Sequence, residues 1–365
     1  MLPLPVVSID VENGRMEKAL LTQCERGLIL EKYEGPLEPD IFISPGWIDL
    51  HAHVYDGFTS LGVDADSVGL KKGVHLIADA GSAGEATLAG LTRYIVPTRR
   101  TMLRAWLNIS GIGLVHLNEY SDMRQVNVEA AIKAVESNRS FICGIKTRCS
   151  GIIVEDKRTL PFRCAVEAAR KANVPLMVHV GETPPMPEEF MSLLQKGDVI
   201  SHCFHGKERV LWNEEGQPVQ PLREAIKRGV ILDVAHGAAS FDHRVARRAI
   251  AADYRDFVIS TDLHIRNING PVYDLPTTMT KLIDCGLTLV EVITAVTQKP
   301  ARILGLGGWC KMDDVIQRAT LFRLRPTETD RDVQFFDSFK NPLYPERLIE
   351  PTMIVVNGKL EGLPV

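Results

Sequence analysis

The segment "GWIDLHAHVYDG" (46–57) sets an acid and two imidazoles, Asp49, His51 and His53, at alternate positions of a short apolar run. Residues two apart on a strand share a face, so the two histidines point the same way. Further along, four more apolar runs end in Lys146, His179, His202 and Asp262. Imidazole nitrogens and carboxylate oxygens suit Zn²⁺ and similar divalent ions. Singly, each residue has a plainer role: a strand histidine hydrogen-bonded in a core, a lysine whose stem snorkels, an aspartate capping a loop. Together they stand at the same end of five separate runs, which chance placement explains poorly. A metal site is the expectation.

Apolar runs with polar or glycine-rich tails recur at intervals of roughly thirty residues, about one βα unit. They are "WIDLHAH" (47–53), "VHLIADAG" (74–81), "RAWLNIS" (104–110), "FICGIKTR" (141–148), "PLMVHVGE" (175–182), "DVISHCFHG" (198–206), "VILDVAHG" (230–237) and "DFVISTDLH" (256–264). Helical periodicity fills gaps between them, as in "VNVEAAIKAVESN", "LPFRCAVEAARKA", "PLREAIKRG" and "RVARRAIAADY". Near-continuous apolar runs suit buried parallel strands, and eight such units argue for an α/β fold, a (β/α)8 TIM-type barrel. Chemistry in such barrels sits at the C-terminal strand ends, where these polar residues fall. The chain ends read differently, with short β-like runs such as "PVVSIDVE", "LILEKYE" and "MIVVNGKL". The last holds Asn357-Gly358, a hairpin-turn signal. The expected organisation is a hydrolase barrel over 45–307, with 1–44 and 308–365 forming a small β-sandwich domain built from both chain ends.

Composition narrows the partners. The 365 residues are 45% hydrophobic and 24% charged with a formal net charge of −4, and no basic block interrupts them. Nucleic acid and acidic membrane are therefore not expected partners. "MLPLPVVSID" lacks a basic leader region, and no apolar run reaches the ~18 residues of a membrane span. The seven scattered cysteines contain no C-x-x-C pair and fit a reduced, cytoplasmic protein. A small-molecule substrate and a homo-oligomeric assembly are expected.

The ordered set His51-x-His53, Lys146, His179, His202 and Asp262 resembles the binuclear-metal amidohydrolase superfamily. That resemblance implies two divalent metal ions per chain, Zn²⁺ by expectation, bridged by a carbamate formed on Lys146. His51, His53 and Asp262 would bind one ion, and His179 and His202 the other. It further implies hydrolysis by a metal-shared hydroxide, with Asp262 as general base and then general acid. Asp49 would orient a metal ligand, as neighbouring carboxylates often do. More narrowly, "GVHLIADAGSAG", "LNISGIGLV", "GDVISHCFHG", "STDLH" and "NGPVYDLPT" resemble a dihydroorotase-like branch, some of whose members hydrolyse acetylated (R)-mandelate. The stretch "KMDDVIQRATLFRLRP" departs from that branch in lacking its Gly-x-Ala-Asp pattern.

Dihydroorotases carry an arginine two residues after the H-x-H pair, and Tyr55 stands there instead, which argues against dihydroorotate. Arg148, two past Lys146, would share its face and could grip a carboxylate bidentately. His205 and His264 are further candidates for substrate contact, and His236 for a supporting hydrogen bond. His75, His116 and His243 are read as structural, and Cys149 and Cys203 as core packing. "GSAG" and "GLGG" lack the Lys-Ser/Thr of a phosphate loop. The expected function is metal-dependent hydrolysis of a small acylated carboxylic acid, ester or amide. The alternatives are a cyclic amide or imide hydrolase, a phosphotriesterase-like enzyme, and a catalytically silent barrel used for binding.

Overall fold

The computed structural model describes residues 2–36, 38–208, 211–312, 314–327 and 334–364. The segments expected to form the small β domain include Met1, Leu37, Asp313, residues 328–333 and Val365, which lie outside that description. Three strands open the chain: β1 (Leu4–Asp10), β2 (Arg15–Cys24) and β3 (Gly27–Lys32) form an antiparallel meander. β4 (Ile41–Pro45) pairs parallel to β1 and runs through Gly46 directly into the barrel.

Each of the eight apolar runs contains a strand. They are β5 (Trp47–Ala52), β6 (Val74–Gly84), β7 (Met102–Asn108), β8 (Ile142–Cys149), β9 (Leu176–Val180), β10 (Val199–Ser201), β11 (Ile231–Asp233) and β12 (Phe257–Val258). All pair in parallel with their sequence neighbours. Contacts between the first and last runs close the ring: Ala52 bridges Leu263, His53 N–H donates to Leu263 O (2.9 Å) and Asp262 N–H donates to His51 O (2.6 Å). The last three strands are much shorter than their runs, and left-handed backbone follows each of them, at His202 (φ 65°), Ala235 (φ 40°) and Asp262 (φ 48°). A non-glycine residue there is costly and leaves the pleated ladder, and such strain gathers at functional sites.

The four expected helices are present at 128–137, 160–172, 220–227 and 243–251. Asn127 and Asp242 cap two of them, accepting hydrogen bonds from Ala130 N–H and Arg244 N–H. Leu50, Ala78, Trp106, Met177, Val199 and Val258 fill the barrel interior.

The C-terminal part supplies β13 (Arg318–Pro326), β14 (Phe335–Phe336), β15 (Pro342–Leu343), β16 (Arg347–Val356) and β17 (Lys359–Gly362). β13 lies antiparallel between β4 and β16, so both chain ends meet in one mixed seven-stranded sheet, ordered β17-β16-β13-β4-β1-β2-β3. Val6, Leu21, Leu28, Ile43, Leu321 and Val355 give it a core of its own. Asn357 (φ 50°) and Gly358 (φ 75°) make the β16–β17 turn, as their residue types predict. The departing stretch 311–326 thus still contributes a central strand.

Among the described residues β14 and β15 pair only with each other, apart from this sheet, and they dock on the barrel. Ser338 Oγ donates to Gly237 O (2.8 Å), and Lys281 Nζ donates to Phe336 O (2.9 Å). Nothing in the sequence pattern signals that contact. Among the described residues, no helix is long and apolar enough to cross a membrane.

Candidate active site

Five of the six expected ligands, His51, His53, Lys146, His179 and Asp262, line one cavity of about 380 Å³ at the C-terminal strand ends. His202 completes the group from a fully buried position, with Nε2 2.8 Å from His179 Nδ1 and 4.0 Å from Asp262 Oδ2. Asp262 Oδ1 stands 3.0 Å from His53 Nε2 and 3.5 Å from His51 Nε2, and Lys146 Nζ stands 3.3 Å from His51 Nε2. One ligand atom from each of His51, His202 and Asp262 falls within 4.8 Å of the others. A larger cavity of about 600 Å³ opens beside Pro175, Val230 and Phe257, at the opposite strand ends. Its lining holds no histidine or cysteine, so size does not mark the chemistry here.

The outer hydrogen bonds say which nitrogen of each imidazole is available. His202 Nδ1 donates to Ala235 O (2.7 Å), leaving a lone pair on Nε2. His51 Nδ1 faces Asp233 Oδ2 (3.3 Å) and Ser201 Oγ (3.2 Å), so its Nε2 is also the bare nitrogen. His53 Nδ1 bonds Ser82 Oγ (2.9 Å). These tautomers follow from the hydrogen-bond network. In this network the bare His51 Nε2 lies 3.5 Å from Asp262 Oδ1 and 3.3 Å from Lys146 Nζ. Bare imidazole nitrogens grouped with a carboxylate in one buried cluster are a donor set that fits a divalent metal.

Electrostatics favour the ligand states. Burial drives His51 and His179 well below the usual imidazole range and His202 down to about 3, so all three stay neutral. Metal binding requires that form. Burial also pushes the Lys146 ammonium down to about 7, leaving a large share of its amine unprotonated at neutral pH. For Asp262 burial opposes ionisation, but the His53 hydrogen bond and the nearby His51 and His202 outweigh it and hold the carboxyl well below its usual range.

Residues 42–308 match the amidohydrolase family. The chain belongs to that family. Relatives include a deacetylase of Agrobacterium fabrum, 37% identical over 323 residues, 87% of this chain and 78% of the relative. A deacetylase of Enterococcus faecalis is 36% identical over 268 residues, 73% of this chain and 72% of that one. Among solved structures, a dihydroorotase superposes with TM-score 0.84 at 32% identity, covering 98% of this chain and 97% of that one. An adenine deaminase superposes with TM-score 0.87 at 29% identity, covering 98% and 100%.

The surroundings of the cluster in this amidohydrolase depart from several sequence expectations. Asp49 orients no imidazole. Its carboxylate accepts His51 N–H (3.2 Å), Thr261 N–H (3.1 Å) and Thr261 Oγ–H (2.5 Å), stapling β5 to the segment after β12. The carboxylate that meets an imidazole of the cluster is Asp233, which also accepts from Ser201 and Ser260. It was visible in "VILDVAHG" only as a lone acid inside an apolar run. Arg148 does line the cavity, but its guanidinium is paired with the fully buried Glu119 and also donates to Leu117 O. Two of its three nitrogens are thereby committed. Glu119 comes from the loop after β7 and carries no sequence signal.

His264 stands on the cavity wall, with its ring centroid 6.3 Å from that of His53. His205 does not. It is buried off the wall, and its Nδ1 has no hydrogen-bond partner. His236 Nε2 accepts from Lys281 Nζ (2.9 Å) rather than supporting a ligand. Tyr55 turns away from the cavity, donating its hydroxyl to Thr87 O (2.6 Å) and stacking on Phe58. His75 donates to Ala319 O (3.1 Å) and His243 Nδ1 pairs with Asp337 Oδ2 (2.8 Å), and neither lies on the cavity wall. Burial pushes the Cys149 thiol up to about 12 and the Cys203 thiol well above its usual range, which suits packing and not nucleophilic attack.

Two glycines make room for the cluster. A Cβ at Gly81 (φ 84°) would lie 2.7 Å from Lys146 Cγ, and one at Gly237 (φ 62°) would lie 2.6 Å from Asp262 Oδ2. Gly237→Ala is expected to lower kcat by about 10- to 100-fold, because a shift of order 1 Å in a reacting group carries losses of that size. Its melting temperature should fall only by a few degrees, roughly what 1 kcal/mol of left-handed strain produces. Steady-state kinetics beside a thermal melt checks this, and an unchanged kcat would mean that Asp262 tolerates displacement.

Proposed function

We propose that this chain is a metal-dependent deacetylase acting on a small acetylated carboxylic acid, at an ester or amide bond. The observation that carries the acetyl preference is the extended similarity to deacetylases, which covers most of the chain and the whole ligand cluster. His51, His53 and Asp262 would hold one divalent ion and His179 and His202 a second, with Lys146 between them. Zinc fits the nitrogen-rich donor set. A neutral Lys146 Nζ could add to carbon dioxide with release of one proton, and the carbamate so formed would offer anionic oxygens to the bound ions. When bound, the ions supply a water ionised near neutral pH and polarise the acyl carbonyl.

The protein's own groups do the rest. Asp262, ionised and one hydrogen bond from His53, takes the proton of the attacking water and returns it to the leaving oxygen or nitrogen. Asp233, Ser201 and the Ala235 carbonyl keep the His51 and His202 rings turned with the bare nitrogen inward, and Ser82 holds the His53 ring in place. Leu61, Leu114 and Ile153 line the mouth and exclude water around the acyl group. The water oxygen bonds to the acyl carbon, the bond from that carbon to the leaving atom breaks, and acetate departs with the free hydroxy or amino acid.

The zinc-loaded protein should be screened against N-acetyl amino acids, O-acetyl hydroxy acids, dihydroorotate, hydantoins and a phosphate triester. Acetate release from the first two groups is expected to exceed every other rate. The dihydroorotase likeness favours the competing ring-opening reaction, and dominant ring opening in this panel would replace the present reading. With Tyr55 bonded to Thr87, no arginine occupies the position that a dihydroorotase would use.

A further inference from the structure

We propose that Arg266 is the residue that reads the substrate carboxylate, an inference that rests on the acetylated-acid reading above. Apart from Lys146, the cavity wall carries three cationic side chains among the described residues: Arg148, Lys207 and Arg266. The first two are already neutralised. Arg148 faces the buried Glu119, and Lys207 Nζ lies 2.9 Å from Glu182 Oε1. Burial opposes the charge on Glu182, yet its hydrogen bonds from Ser150 and Lys207 prevail and bring it down to about 2, so that pair stays closed at neutral pH. Arg266 forms no ion pair or side-chain hydrogen bond among the described residues. Among the described residues it is the remaining uncompensated cation on the wall.

The loop that carries Arg266 is fixed relative to Asp262. Asn267 Nδ2 donates to Asp262 O (2.9 Å), Asn267 Oδ1 accepts His264 N–H (2.8 Å), and His264 Nδ1 accepts Arg266 N–H (3.2 Å). Ile265 N–H donates to Leu61 O (3.0 Å), tying the same loop to the segment after β5. The backbone from 262 to 267 is therefore one braced unit, and Arg266 emerges from it beside the proton-transferring aspartate. Its side chain is exposed at the rim, where a guanidinium can meet an incoming anion without the desolvation cost that a deep position imposes. Apolar side chains, including Leu114, Leu117, Ile152 and Ile153, line much of the rest of the wall. The substrate class that this combination suits is an acetylated α-carboxylate whose remaining substituent is apolar, with the carboxylate at Arg266 and the acetyl group at the cluster.

The test uses the full zinc-loaded chain and both enantiomers of N-acetylphenylalanine and O-acetylmandelate, each compared with its uncharged N-methylamide. In the unaltered protein the carboxylates should be preferred. Arg266→Met should cut that charged-to-neutral preference by about tenfold, mainly through KM, and Arg266→Lys should keep part of it. Arg148→Met and Lys207→Met run in parallel, with thermal melts to separate lost folding from lost recognition. If the preference survives Arg266→Met but collapses in Arg148→Met or Lys207→Met, the assignment to Arg266 is overturned while the deacetylase reading stands. If the unaltered protein releases no acetate from any acetylated acid, both fall together. A preference lost only at Arg266 supports the proposal.

Discussion

Lys146→Ala is expected to abolish turnover and to lower the bound metal from close to two ions per chain toward one or none. The loss should exceed the 10- to 100-fold that follows removal of an outer supporting partner, because Lys146 would be a ligand itself. Its Nζ lies 3.3 Å from His51 Nε2 in a position with 2% exposure, and burial keeps much of the amine neutral. An ammonium there would repel a cation, whereas the carbamate of a neutral amine attracts one. Adding formate, acetate or propionate together with zinc should restore part of the activity, since a free carboxylate can stand where the carbamate stood. Lys146→Met is the control for packing: it fills the berth left by Gly81 but cannot take up carbon dioxide, so it should melt near the unaltered protein and remain inactive. Metal analysis and acetate-release assays together decide the matter. Full activity in the unrescued alanine variant would reduce Lys146 to a structural residue.

Asp262→Asn should lower kcat by about 10²- to 10⁴-fold, the range that a positioned general base contributes. The asparagine keeps the shape of the side chain and the left-handed backbone at this position, which asparagine tolerates well. What it removes is the negative charge beside His51 and His53 and the site that accepts a proton. Because the proposed substrate anchor is elsewhere, KM should change much less than kcat. Metal content must be measured on the same sample, since Asp262 is also a proposed ligand. A variant with full metal and a kcat within about threefold of the unaltered protein would assign the proton transfer to another group.

Both experiments concern residues that were legible before any fold was known, and the reason is local. Alternation along a strand is set by covalent geometry, so His51 and His53 had to share a face once their run was extended. Apolar runs of strand length separated by helical patterns had few ways to bury themselves, and the parallel barrel is one of them. The hairpin at Asn357-Gly358 was equally local, because only certain residues accept left-handed backbone at low cost.

The charges around the site were not legible in that way. Arg148 on β8 meets Glu119 from the loop after β7, and Asp233 reaches His51 across 182 positions of sequence. Asp49 looked like a support for an imidazole because it sits two residues from one, yet ring closure brought Thr261 to it first. Tyr55 and His205 lie off the cavity wall, Tyr55 because its hydroxyl bonds Thr87 O and its ring stacks on Phe58, and neither contact could be read from the sequence. By itself the sequence determined which side chains could ligate a metal and at which strand ends they lie, since residue type and backbone period suffice for that. Only the tertiary structure decided which of the cations, acids and imidazoles remain available for a substrate, because charge compensation depends on distances that exist only after the barrel has closed.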